Sequence, residues 1–229
     1  MLSNNIEYKE KVIEKINLIY NQDLLPITHQ NFLFKLRNEY NFHPKVCYDI
    51  GSAVLHWTRH AERVWKDTKI ILFDAFEPYE YLYKNYDYNI GVLSDVNNKI
   101  VKFYQNDFYF GGNSYYKENT EYFPEDGYLE KSTKTLDTIV EEKKYPYPDL
   151  IKVDVQGAEY DIFKGAQNVL SKAKVLLVEL QHIEYNKGAR LDYETINYLE
   201  SINWKLEAEK FSPNGVDSDY CFINKNLQF

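Results

Sequence analysis

The chain has only two cysteines in 229 residues. Cys47 and Cys221 show no framework spacing, which excludes a disulfide scaffold. Both read as buried thiols of a reducing compartment, and a cytoplasmic location is expected. A basic excess is missing too: 27 Lys and Arg face 35 Asp and Glu, a net charge of −8. Binding of nucleic acid needs a basic surface to neutralise phosphates, so no nucleic-acid partner is expected and a small or neutral substrate fits better. No apolar run approaches the roughly 20 residues that cross a bilayer, so no membrane span is expected. Met1-Leu2-Ser3-Asn4-Asn5 lacks a basic stretch followed by an apolar core, so no secretory leader is expected. No His/Cys/Asp cluster carries metal-ligand spacing, and no metal site is expected. There is no internal repeat, and nothing in the sequence sets an oligomeric state.

What is present suffices for one large domain. Hydrophobic residues make up 44% of the chain, enough for a sizeable core. Aromatics make up 17%, with 22 Tyr. Tyrosine pairs an apolar face with a polar tip, which suits sugar stacking and wet pockets. A chain-wide bias toward Tyr, Asn, Lys and Ile explains the same number.

Apolar spacing predicts a helix over 6–20, with Ile6, Val12, Ile13, Ile16 and Ile19 on one stripe, and a second over 29–40. Asn41 and Pro44 then break the pattern. An alternation follows. Strands are expected at 46–50, 69–73, 88–93, 150–155 and 175–180, and helices near 56–65, 79–85, 136–142, 158–171 and 192–202. Short apolar strands alternating with helices predict an α/β fold with a parallel sheet covered on both faces. The strands at 204–210 and 220–224 are joined by a connection too short for a helical crossover, so the last strand should run antiparallel. Between 95 and 135 lies a long insertion with one strand at 100–104, read as a lid or binding loop because its aromatic density argues against disorder.

Ligands of open α/β sheets bind at the carboxyl ends of the strands. Asp49 closes the first strand, and Gly51, followed by Ser52, permits a tight turn beside a ligand. Asp74 ends the second strand, where an acid can accept hydrogen bonds from both ribose hydroxyls of an adenosine cofactor; Glu77, three residues on, competes for that role. Ser94 and Asp95 end the third strand, in reach of an adenine edge or as an ordinary turn. Asp154 interrupts a buried strand, costly unless it is paired or at the strand's mouth. Glu179 ends the fifth strand, and His182, suited by its pKa to proton abstraction, follows it.

Eight motifs in this order resemble the FkbM family of S-adenosylmethionine-dependent methyltransferases: YDIGS (48–52), FDAFEP (73–78), IGVLSD (90–95), GGNS (111–114), TLD (135–137), IKVDVQGAEYDIFKGA (151–166), VELQH (178–182) and DYCFI (219–223). The resemblance runs from about Asn41 to Asn224. It implies a Rossmann-like class I methyltransferase fold: a seven-stranded, mostly parallel sheet with an antiparallel last strand and helices on both faces. A helical extension over 1–42 would precede a methyltransferase domain over 43–229. It implies S-adenosylmethionine as cofactor, held by Asp49, Gly51, Ser52, Asp74, Glu77, Ser94, Asp95 and Asp154. The expected reaction is O-methylation of a sugar or natural-product-like small molecule. His182 would act as base, Glu179 would orient it, and Asp154 would sit near the donor's charged centre. Asn113, Ser114, Tyr115 and Tyr116 would close over the acceptor, with Tyr185, Asn186 and Lys187 opposite. His56 and Trp57, at the start of the first helix of the domain, are further candidates for the same cleft, but core or surface packing explains them better. The chain departs from the family at two points: Leu55 stands where a second glycine is usual, and Gln156 where Glu is common. These departures keep a catalytically inactive binding module as an alternative. A nicotinamide-dependent oxidoreductase is a further one, against which the absent G-x-G-x-x-G fingerprint counts.

Overall fold

The computed structural model describes residues 6–22, 25, 27–208 and 215–227. Helices α1 (Ile6–Tyr20) and α2 (Ile27–Asn38) precede β1 (Val46–Ile50), α3 (His56–Val64), β2 (Lys69–Asp74) and β3 (Asp87–Ile90). Next come β4 (Val92–Leu93), β5 (Ile100–Tyr104), β6 (Tyr128–Lys134), α4 (Leu136–Lys143) and β7 (Leu150–Val153). The chain continues through α5 (Glu159–Lys164), α6 (Gln167–Lys172), β8 (Val175–Gln181), α7 (Asp192–Ser201), β9 (Trp204–Ala208) and β10 (Asp217–Asn224). Seven strands form one sheet in the order β3-β2-β1-β7-β8-β10-β9. Its central pairs are parallel, and β10 runs antiparallel to both β8 and β9. The connection expected at 211–215 lies, save for Gly215, outside the described residues.

Strand periodicity sends alternate side chains to opposite faces, and each face has its own core. Tyr48, Ile50, Ile71, Phe73, Ile151 and Val153 pack with α4, α5, α6 and α7. Cys47, Ile70, Leu72 and Leu150 pack on the other side with Val12 and Ile16 of α1, Leu33 and Leu36 of α2 and Trp57 of α3. The N-terminal helices therefore share a core with the sheet.

Four details differ from the sequence expectation. The strand expected at 88–93 divides: β3 pairs with β2, while β4 leaves to pair with β6. The helix near 79–85 is a short 3-10 turn over Glu77–Leu82. The helix expected over 158–171 breaks between α5 and α6 at Gly165, which packs so close to the chain after β4 that a Cβ there would lie 2.3 Å from the Ser94 carbonyl oxygen. The insertion at 95–135 holds a second strand: β6, unforeseen, pairs antiparallel with β5. Its exposed face carries Glu130 and Lys134, which weakens the apolar alternation that marks a strand.

Candidate active site

A cavity of about 250 Å³ opens at the carboxyl ends of β1, β2 and β7. Its floor is Ile50, Gly51 and Ala53 from the first turn; Asp74 and Phe76 follow β2; Val92, Leu93 and Phe103 supply an apolar wall. Gly111, Asn113, Ser114 and Tyr115 close it from the insertion, and Asp154, Gln156 and Glu179 form the far end.

The first turn answers the question of the missing glycine. Gly51 has φ +80°, and a Cβ there would lie 1.8 Å from the Asp154 carbonyl oxygen. Leu55 keeps the left-handed backbone that a glycine would adopt, with φ 64°. Such a backbone costs a non-glycine residue roughly 1–2 kcal/mol. Leu55 is 3% exposed within the N-terminal core, and burying a leucine returns about 1.5–3 kcal/mol. It does not line the cavity.

Asp74 is anchored by backbone: its Oδ2 accepts the Ala53 N–H at 2.9 Å and its Oδ1 the Phe76 N–H at 2.9 Å. Burial raises its carboxyl to about 6, against these hydrogen bonds. Glu77 is exposed, 3.9 Å from the Lys131 ammonium, and is absent from the cavity wall. Ser52 is buried, its hydroxyl donating to the Asp49 carbonyl at 2.6 Å. Ser94 is buried beside the Tyr115 hydroxyl, and Asp95 faces solvent. None of Ser52, Ser94 or Asp95 lines the cavity.

The sheet register assembles a row of charge. Asp49 pairs with Lys152 across β1 and β7, and Glu179 with Asp219 across β8 and β10. The Lys152 ammonium lies 3.0 Å from Asp154 and 4.0 Å from Asp49. Asp49 is fully buried; Thr58 donates to its Oδ2 at 2.5 Å, and its Oδ1 has no hydrogen-bond partner. Asp49 thus underlies the site without reaching it. Burial pushes the Asp154 carboxyl up, but the Lys152 ammonium outweighs this and holds it below the usual carboxylate range. That ionised Asp154, then burial, push Glu179 well above its ordinary value. Gln156 bridges the two, its Nε2 3.2 Å from Asp154 Oδ1 and 3.1 Å from Glu179 Oε1. At α2, His29 pairs with Asp219. Among the described residues, no group of three or more His, Cys, Asp or Glu side chains could hold a metal ion.

The structure does not bring His182 to the cavity. Its Nδ1 meets Asp192 at 2.7 Å and its Nε2 meets the Ser218 hydroxyl at 2.8 Å. Both ring nitrogens are taken, because the chain turns after Gln181 and directs the imidazole toward α7 and β10. His56 and Trp57 lie outside the wall as well: His56 contacts the Ile19 carbonyl at 2.9 Å, and Trp57 is core.

The insertion and the loop after β8 clasp each other. Glu118 and Asn186 form an isolated β-bridge, and Asn186 Nδ2 donates to the Tyr116 carbonyl at 2.8 Å. Tyr115 and Tyr116 both donate to Asp161 Oδ2 on α5, at 3.0 and 2.8 Å. Asn113 Oδ1 accepts the Asn106 N–H at 2.7 Å, while its buried Nδ2 has no partner. Tyr185 and Asn186 line a second, small cavity with Gln156, Glu159 and Glu179. Lys187 lies outside, 65% exposed. Sequence reading passed over Lys152, Glu159 and Asp161. A charged Lys152 inside a buried apolar strand was the available signal.

Strand order, the lone antiparallel β10 and a cavity at the mouths of β1, β2 and β7 define a protein of the S-adenosylmethionine-dependent methyltransferase class. Residues 48–206 match the Methyltransferase FkbM domain, and the chain belongs to that family. It is 31% identical over 102 residues to the 2-O-methyltransferase NoeI of Sinorhizobium fredii, a match covering 44% of this chain and 40% of that protein. The fold is shared with human N-acetylserotonin methyltransferase in complex with SAM, at 10% identity and a TM-score of 0.50, over 94% of this chain and 56% of that one. A putative O-methyltransferase from Klebsiella pneumoniae has the same TM-score at 11% identity, covering 97% of this chain and 92% of that one. Among the described residues no helix is long and apolar enough to cross a membrane.

Proposed function

We propose that the chain transfers a methyl group from S-adenosylmethionine to a hydroxyl of a sugar or natural-product-like small molecule. One observation carries this reading: the cavity pairs an apolar wall and a half-buried acid at the β2 end with carboxylates at the β7 and β8 ends. The residues present fit the cofactor. Asp74 would accept from ribose hydroxyls, Leu93 and Phe103 would flank the base, and the unpartnered Asn113 Nδ2 supplies a free donor. The ionised Asp154 favours a cation at the far end. When bound, the cofactor supplies a methyl group activated by its sulfonium.

The protein's own task is to orient the acceptor, exclude water and take a proton. Orientation alone is worth on the order of 7–11 kcal/mol. Glu179 touches both the main cavity and the smaller one beneath Tyr185. The ionised Asp154 and burial raise it above its ordinary value, so in its deprotonated form it takes up a proton more readily than an exposed carboxylate. We therefore assign proton acceptance to Glu179 in place of His182, with Gln156 orienting it. The name of the S. fredii relative supports a hydroxyl acceptor.

The test is calorimetry with S-adenosylhomocysteine, followed by methyl transfer to a panel of sugars and phenolic natural products. Glu179→Gln is expected to lower kcat by about 10²–10⁴-fold while S-adenosylhomocysteine affinity holds; His182→Ala should keep turnover. Full turnover in Glu179→Gln removes its role. Absence of S-adenosylhomocysteine binding removes the whole reading.

A further inference from the structure

Three aromatic side chains of the insertion face solvent: Phe108 at 36%, Tyr109 at 55% and Tyr122 at 42% exposure. Tyr109 and Tyr122 stack on one another, with centroids 4.1 Å apart and planes 24° apart. Phe108 meets Tyr8 edge-on at 5.7 Å. Exposed rings of this size on a loop usually swing freely, but here the backbone beneath them is fixed. Asn106 is the hub: its Oδ1 accepts the N–H groups of Phe108 and Tyr109, at 2.9 and 3.0 Å. Its Nδ2 donates to the Tyr122 carbonyl at 2.9 Å. Its own N–H goes to Asn113, a residue of the cavity wall. The flanking Asp107 is occupied by Tyr8 and Gln105, each at 2.8 Å.

The chain leads from these rings directly into the cavity wall. Phe110 and Gly111 line it, and Gly111 is also exposed, so it marks the rim. Tyr109 stands two residues before it. We propose that Tyr109 and Tyr122, with Phe108 beside them, form a stacking subsite for a neutral oligosaccharide arm of the acceptor. This deepens the hydroxyl-methylation reading and rests on it. The chemistry selects the class. A pyranose ring offers a face of C–H groups to an aromatic ring and hydroxyls at its edge. Tyrosine offers the matching apolar face and polar tip. A lipid arm would want an apolar groove without polar tips. A nucleic acid would meet a chain of net charge −8.

The test uses the full chain loaded with S-adenosylhomocysteine. Chito-, malto-, cello- and manno-oligosaccharides are screened by saturation-transfer NMR, and the binding series is titrated. At least one series should bind, with saturation transfer from Tyr protons. Tyr109→Ala and Tyr122→Ala should each weaken it by about tenfold. Tyr109→Phe should retain it, because the ring face remains. Affinity for S-adenosylhomocysteine should be the same in all variants, which also reports that they fold. Three results overturn the proposal: no oligosaccharide bound by the loaded wild type, equal binding by the alanine variants, or a dimer of the chain that Tyr109→Ala dissociates without any glycan binding. Methyl transfer to simple phenols or alcohols, measured alongside, separates the two readings. If it persists while glycans fail to bind, the subsite falls and the hydroxyl-methylation reading stands.

Discussion

Glu159 offers a direct measurement of how the site stores electrostatic cost. It opens α5, is 5% exposed, and its Oε1 accepts the N–H groups of Val155 and Gly157 at 3.1 and 3.2 Å. Burial raises its carboxyl from an ordinary 4.5 to about 7, outweighing those hydrogen bonds. A carboxyl raised on folding contributes its full stability below the unfolded value and loses it as pH rises through the folded value. At 1.36 kcal/mol per pH unit, the gap amounts to about 3 kcal/mol, lost between about pH 4.5 and pH 7. Glu159→Gln keeps an acceptor of the same shape and removes the titration. The stability difference, variant minus wild type, should therefore rise by about 3 kcal/mol between pH 4.5 and pH 8. Asp74 titrates in the same window in both proteins and cancels. Urea unfolding followed by tryptophan fluorescence at several pH values measures the difference. A flat difference across that range would refute the reasoning, because it would mean that the carboxylate is not desolvated.

Other outcomes follow from the same geometry. Gly51→Ala should lose about 2–4 kcal/mol of stability, since its Cβ meets the Asp154 carbonyl in a left-handed turn; thermal unfolding checks the loss, and calorimetry should show S-adenosylhomocysteine binding lost with it. Asp74→Asn should weaken S-adenosylhomocysteine binding by about tenfold or more, and exposed Glu77→Gln should leave the calorimetric affinity nearly unchanged; the reverse order would move the ribose contact to Glu77. Asp161→Asn should speed S-adenosylhomocysteine release by about threefold to tenfold in stopped flow, because Asp161 holds Tyr115, which lines the cavity, together with its neighbour Tyr116. Tyr116→Phe in the same background should add little, as the two act on one contact.

Much of this molecule is written locally. Strand–helix alternation fixed the order of elements, because an apolar run bounded by turn residues has few ways to be buried. The antiparallel β10 followed from a connection too short to cross over. Gly51, Asp74, Asp154 and Glu179, all in the cavity wall, stood out because an acid or a glycine at the end of a buried strand is costly without a purpose. Tertiary structure decided what no local signal carries. Only the register across β1, β7, β8 and β10 sets Asp49 beside Lys152 and Glu179 beside Asp219. Only the tertiary placement of Asp192 on α7 and Ser218 on β10 beside His182 occupies both its ring nitrogens, although its place after β8 pointed to catalysis. Direction and burial are properties of the assembled fold. A sequence says which groups can do chemistry, and the contacts between distant segments determine which of them face the same space.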